Sequence, residues 1–242
     1  MNNLTLRTVS TELTNGLAAV SVAMSKDATV PVLDAVRIER TDDNTATLLA
    51  TDRYRVARVR IPARWTGEGT GFQIAAADVK RLIADGKARI AADRRLTTHD
   101  YLVTLEVGSD ERLSVSAQHP YDGTEASFTT LVSPGDYPRV ERLFPDTLPQ
   151  SEGMVALNPA FLADFAKVKD IRPATAKDAK GTPMVIHPNG AKPVLVTVGD
   201  WFTGLLMPVI GTSGKPVVST ADTLPNDAEW ITELLDASTP IL

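Results

Sequence analysis

Apolar and polar positions along the chain change their period in a recurring order. Residues 3–9 (NLTLRTV) alternate and predict a strand; behind Ser10 and Thr11, Leu13, Leu17, Val20 and Met24 then recur at helical spacing, until KDATVP ends the pattern. VLDAVRIER, TATLLA and RVARVRI read as three strands, with TDDN as the turn between the first two. The same order then begins again. FQIAA is a short strand, Asp78 to Lys87 a helix with Val79, Leu82 and Ile83 on one face, and YLVTLEV, RLSVSAQ and ASFTTLV are strands, with GSDE as a hairpin turn. The repeat is one of architecture rather than of residues, at about 65 to 70 positions, longer than the common solenoid periods. Two such units predict one domain over residues 1–132.

Residues 133–152 are rich in proline and polar side chains and predict a connector. A third, shorter unit follows over 153–211. GMVAL reads as a strand. A helix runs from Pro159 to about Val168, with Phe161, Leu162, Phe165 and Val168 inward and Asn158 as N-cap before a proline at the first helical position. PMVIH, PVLVTVG and FTGLLMPVI close the unit as strands. Residues 212–242 read as a tail with one amphipathic helix, Asp227 to Leu235, whose acidic start suits the helix dipole. Its Trp230, Ile231, Leu234 and Leu235 form an apolar face expected to dock on the protein itself.

The stretch LLATDRYRVARVRI, residues 48–61, interrupts an apolar run with a charged corner. Thr51 to Tyr54 turn the chain, and from Arg55 the alternation places Ala57, Val59 and Ile61 inward and Arg58 and Arg60 on a solvated sheet face.

With 242 residues, 43% hydrophobic and 23% charged, the chain is long enough to bury a real core. Its 25 basic and 30 acidic residues leave a net charge of −5, which excludes a protein coated in positive charge but allows a local basic surface. The absence of cysteine excludes disulfides, thiolate catalysis and cysteine-bound zinc. No apolar run spans a bilayer and the start lacks a secretory pattern, so the expected location is the cytoplasm, without membrane.

Catalytic chemistry is not visible. GEGTG at 67–71 lacks the lysine and helix of a phosphate loop and reads as a plain loop. His99, His119 and His187 are scattered surface histidines without metal spacing, and the carboxylates of TDDN and KDAK read as solvated turn residues. No metal or cofactor is expected. Lys80, Arg81, Lys87, Arg89, Arg94 and Arg95 cluster on and after the second helix. Two placements fit them equally, along a phosphate backbone or on an ordinary solvated helix face.

Several separated segments together resemble the bacterial DNA polymerase III beta subunit, the sliding-clamp family. They are PVLDAVRIE (31–39) after VAMSKD, the corner ATDRYRVA (50–57), the connector GDYPRVERLFP (135–145), and GLLMPVI (204–210) preceded by KPVLV. The resemblance begins in the family's middle domain and includes only part of its last one. Arg53 stands where the family's corner has a glycine, and Ile210 where it has an arginine. The resemblance implies an α+β DNA-clamp fold, with antiparallel sheets outside and helices on the inner face. It implies a non-enzymatic processivity factor that oligomerises around duplex DNA without sequence specificity and tethers a replicative DNA polymerase and repair proteins. A non-ring homologue, acting as regulator or decoy through the same peptide pocket, is the alternative.

The family's partners insert a short apolar peptide between corner, connector and final strand. On matching positions the pocket would take Leu33, Thr51, Tyr54, Arg55 and Val56 from the first domain. Pro138, Arg142 and Leu143 would come from the connector, and Leu205, Leu206, Met207, Pro208 and Val209 from the last strand. Lys80, Arg81, Lys87 and Arg89 would then face DNA.

Overall fold

A computed structural model describes residues 3–27, 29–92, 100–150, 155–171, 182–190 and 192–209. The chain opens with β1 (Leu4–Val9) and α1 (Ser10–Val20), then single 3-10 turns at Ser21–Ala23 and Pro31–Leu33. Four strands follow: β2 (Ala35–Asp42), β3 (Thr45–Thr51), β4 (Arg55–Pro62) and the short β5 (Arg64–Thr66). The order repeats with β6 (Gly71–Ala75), α2 (Ala76–Ala92), β7 (Leu102–Val107), β8 (Arg112–Gln118) and β9 (Glu125–Leu131). After a 3-10 turn at Val140–Leu143 come α3 (Pro159–Ala166), a further 3-10 turn at Lys167–Asp170, β10 (Met184–His187), β11 (Val194–Val198) and β12 (Phe202–Leu206).

Several of these elements follow from their sequence pattern. β4 buries Ala57, Val59 and Ile61 on one face, as its alternation requires. In α3 the Asn158 side chain accepts a hydrogen bond from the Ala160 amide at 2.9 Å, the N-cap expected before Pro159.

The strands form two antiparallel sheets, one of five in the order β5-β1-β7-β8-β9 and one of seven in the order β10-β11-β12-β4-β3-β2-β6. The last unit's strands therefore extend the first domain's sheet through the β12–β4 pair, where Leu205 lies opposite Val56 and Phe202 opposite Val59. α1 packs on β3 and β4, and α2 on β2 and β6. α3 packs on β12. Close approach is built in with glycine. A Cβ at Gly86 would overlap the Thr14 side chain between α2 and α1, and one at Gly204 would press into the Phe165 ring beneath α3.

One continuous core joins the inward faces of both sheets to the three helices, including Leu6, Leu17, Ile38, Val79, Leu105 and Phe165. A second, smaller core lies on the opposite face of the seven-stranded sheet. There Leu49, Val56, Leu195 and Leu205 meet Tyr137, Val140 and Phe144 from the segment after β9. Helices thus cover one face of this sheet and the connector crosses the other.

Three expectations change. β5 is hidden in RWT; it pairs antiparallel with β1, Trp65 opposite Leu6, and the Trp65 indole anchors it by donating to the Thr45 carbonyl at 3.0 Å and packing edge-on to Phe72. Residues 155–157 of GMVAL carry no strand pairing; Val155 and Leu157 pack against the main core, and the Ala156 carbonyl accepts from the Val209 amide at 2.9 Å. FTGLLMPVI is a strand only as far as Leu206. The Met207 amide still donates in register to the Tyr54 carbonyl at 2.8 Å, but Pro208 lacks an amide for the ladder. Arg94, Arg95, His99, KDAK, Ile210 and the tail helix with Trp230, Ile231, Leu234 and Leu235 lie outside the described residues.

Candidate functional site

The corner between β3 and β4 is fixed by its own side chains. The Thr51 hydroxyl donates to the Arg55 carbonyl at 2.8 Å and accepts from the Arg53 amide at 3.2 Å. The Asp52 carboxylate accepts from the Tyr54 and Arg55 amides at 3.1 and 3.0 Å. Short polar side chains that bond the backbone two to four residues on are what make such a turn tight. The result holds Arg53 in the left-handed region, at φ 79°.

Arg55 ties this corner to α3. Its guanidinium lies on the helix side, 2.9 Å from Asp52 and 2.7 Å from Asp164, with its carbon 4.6 Å from the centre of the Phe161 ring. Only 7% of the Arg55 side chain is exposed. Hydrogen bonds from Lys167 and then from Arg55 hold the Asp164 carboxyl below its ordinary value. Tyr54 stacks on Phe161 with ring centres 6.1 Å apart.

On the other sheet face the connector closes down. The Gln73 amide donates to the Gly135 carbonyl at 2.6 Å, and Glu141 receives Arg58 at 3.0 Å and Arg60 at 3.3 Å. Arg58 also stacks over Phe144, its guanidinium carbon 3.9 Å from the ring centre. This corrects the expectation of a solvated sheet face. Arg58 is largely covered, and that burial lowers its pKa against the opposing effect of Glu141, while Arg60 stays half exposed. Burial likewise pushes the Tyr137 phenol above its ordinary value.

Between corner, connector and the ends of β11 and β12 lies an apolar pocket of about 270 Å³. Leu33, Thr51, Tyr54, Arg55, Val56, Pro138, Leu143, Leu205 and Met207 line it. Tyr54, Leu143 and Met207 expose 57%, 52% and 42% of their surfaces, so the apolar wall faces solvent. At this size the pocket fits a few side chains rather than a folded partner.

Four expected residues do not line it. Leu206 alternates with Leu205 and faces the main core beside Arg55, 1% exposed. Pro208 is buried and Val209 exposed, both beyond the strand end, and Arg142 is exposed to solvent. Arg53, Val140 and Pro193 complete the lining. Pro193 and Val140 were legible in principle. Pro193 shares the face of Leu195 two residues on, and Val140 stands four residues before Phe144, a helical spacing within the connector.

The basic residues lie on α2, on the helix-covered side. Lys80 and Lys87 are exposed and seven residues apart, hence on one helix face. Arg81 is engaged, 3.8 Å over the Phe128 ring centre and 3.8 Å from Asp85. Arg89 is half-buried, its Nε donating to the Ser10 hydroxyl at 3.5 Å. Among the described residues no His, Cys, Asp and Glu side chains group as a metal site, and no helix is long and apolar enough to cross a membrane.

The family model for the DNA polymerase III beta subunit, central domain, matches residues 8–139. The beta sliding clamp of Micrococcus luteus is 33% identical over 138 residues, 56% of this chain and 39% of its own length. That of Streptomyces coelicolor is 34% identical over 127 residues, covering 52% and 30%. The chain thus spans well under half of these curated relatives. Among solved structures, the DNA polymerase III subunit beta of Borrelia burgdorferi, in complex with a natural product, superposes with a TM-score of 0.61 at 12% identity. That match covers 85% of this chain and 62% of the other. The α+β architecture is that of the clamp fold.

Proposed function

Because the chain belongs to the DNA polymerase III beta subunit family, matched through its central domain, we propose that it works as a sliding clamp. In this role it binds rather than catalyses. It tethers a replicative DNA polymerase and other replication or repair proteins to duplex DNA. The observation that carries the reading is the separation of two surfaces on one seven-stranded sheet. An apolar pocket opens on the connector side, and the helices with Lys80 and Lys87 lie on the other.

Each surface suits its partner. A flexible Met207 beside Leu205, Leu143 and Tyr54 makes a groove that adapts to related apolar peptides. On the helix side a few lysines, against a net charge of −5, hold phosphates loosely while the rest of the surface repels DNA. Encirclement needs more than one copy. β9 and β10 each lie at the end of a sheet, and pairing such edges between copies would extend the sheets into a ring.

Light scattering of the full chain, with and without nicked circular duplex DNA, tests the reading. It predicts a multimer retained on circular DNA and released when the DNA is linearised. A strictly monomeric species at high concentration, with no topological retention, would sink the ring.

A further inference from the structure

We infer that Arg7 and Arg64 form a binding site for a phosphate dianion, free or as a monoester, on the outer face of the five-stranded sheet. The two residues stand directly opposite each other in the β1–β5 pair. Leu6, Thr8 and Trp65 are buried, so strand alternation turns both arginines outward, where they are exposed. Directly opposed residues of an antiparallel pair have their Cβ atoms about 5 Å apart, and like charges so placed destabilise a sheet.

No carboxylate answers them. The other arginines on described strands, Arg37, Arg40, Arg55, Arg58, Arg60 and Arg112, each meet a carboxylate at 2.5 to 3.3 Å. Arg7 and Arg64 meet neither a carboxylate nor an aromatic ring among the described residues. The acidic residue diagonal to Arg7 on the same face, Glu106, accepts instead from the Asn3 side-chain amide at 2.5 Å. Arg58 and Arg60, two apart on β4, show what neighbouring arginines do when an anion is at hand, for both take Glu141. At Arg7 and Arg64 that anion has to come from outside the described chain. One carboxylate offsets one of the two charges. A phosphate dianion offsets both, and its terminal oxygens accept from the two guanidinium forks at once. Thr104, opposite Arg7 on its other side, adds a hydroxyl to the same row.

The test is a titration of the isotope-labelled full chain at about pH 7.5 and constant ionic strength, with the arginine side-chain N–H signals followed. The probes are inorganic phosphate, N-acetyl-O-phosphoserine amide and, as the carboxylate control, N-acetylaspartate amide. Both phosphates shift Arg7 and Arg64 saturably, and the tighter of the two names the source. Phosphoserine binding weakens several-fold at about pH 5, where the monoester has taken up a proton. Arg7→Gln and Arg64→Gln each weaken it roughly two- to fivefold, as exposed ion pairs allow. Phosphate raises the urea midpoint of the wild type and leaves that of the double variant unchanged. Aspartate bound as tightly as phosphoserine, shifts that never saturate, or shifts centred on Lys80 and Lys87 overturn the inference. So does a short DNA duplex that moves Arg7 and Arg64 at lower concentration than either phosphate, which would make this face a nucleic-acid surface.

Discussion

Replacing Asp164 with alanine asks whether α3 holds the corner that shapes the pocket. The Arg55 side chain is 7% exposed and Asp164 32% exposed, with 2.7 Å between them. A hydrogen bond between charged groups contributes about 1.5–3 kcal/mol. Partial exposure of Asp164, and the Asp52 carboxylate that stays on Arg55, place the expected loss near the lower end, about 1.5 kcal/mol. The Lys167 pair adds little, about 0.3 kcal/mol, because that lysine is 69% exposed. Arg55→Ala costs more, about 3 kcal/mol, since it removes the buried cation that Asp52 and Asp164 share, leaving them the backbone amides and Lys167, and uncovers Phe161. Urea unfolding followed by tryptophan fluorescence measures both variants and the double variant. The account expects a coupling of about 1 kcal/mol between positions 55 and 164. If Asp164→Ala stays within about 0.3 kcal/mol of wild type, or the two losses simply add, α3 does not brace the corner through this pair.

The same pair gives stability a sign in acid. The folded Asp164 pKa lies below 3.8, so its contribution is complete above 3.8 and is lost as pH falls through the lower folded value. The stability gap between wild type and Asp164→Asn, read by denaturant unfolding, should therefore close in acid; a gap that widens there contradicts the assignment. On the helix side, Lys80→Ala with Lys87→Ala should shorten retention on circular DNA and lower the log–log salt slope by about 0.9 for each phosphate no longer neutralised. Peptide binding should not change. An unaltered slope would move DNA away from α2.

Much of the fold was written in local periodicity. The alternation of β4, the N-cap of α3 and the repeated strand-helix-strands order depend on near neighbours, and these the chain carries openly. What was hidden depends on distant partners. Arg58 looks like any outward strand residue until Phe144 and Glu141, more than eighty positions on, are laid over it. β5 is only three residues long and owes its place to Trp65 packing on Phe72. At the site, the corner and connector were legible because their segments are distinctive. Leu206 was misplaced although alternation alone separates it from Leu205 and Met207, and the end of β12 at Leu206 explains why Pro208 and Val209 leave the wall.

In the proposed function, the corner, connector and β12 form a peptide-binding pocket on the sheet face away from DNA. Titrating the isotope-labelled full chain with an apolar leucine-phenylalanine peptide tests it most directly, with amide shifts located residue by residue. The account predicts saturable shifts centred on Tyr54, Leu143 and Met207, and affinity weakened about fivefold in Met207→Ala, since truncating one half-buried apolar anchor costs about 1 kcal/mol. Shifts confined to α1 and α2, or an affinity indifferent to Met207 and Leu143, would contradict it.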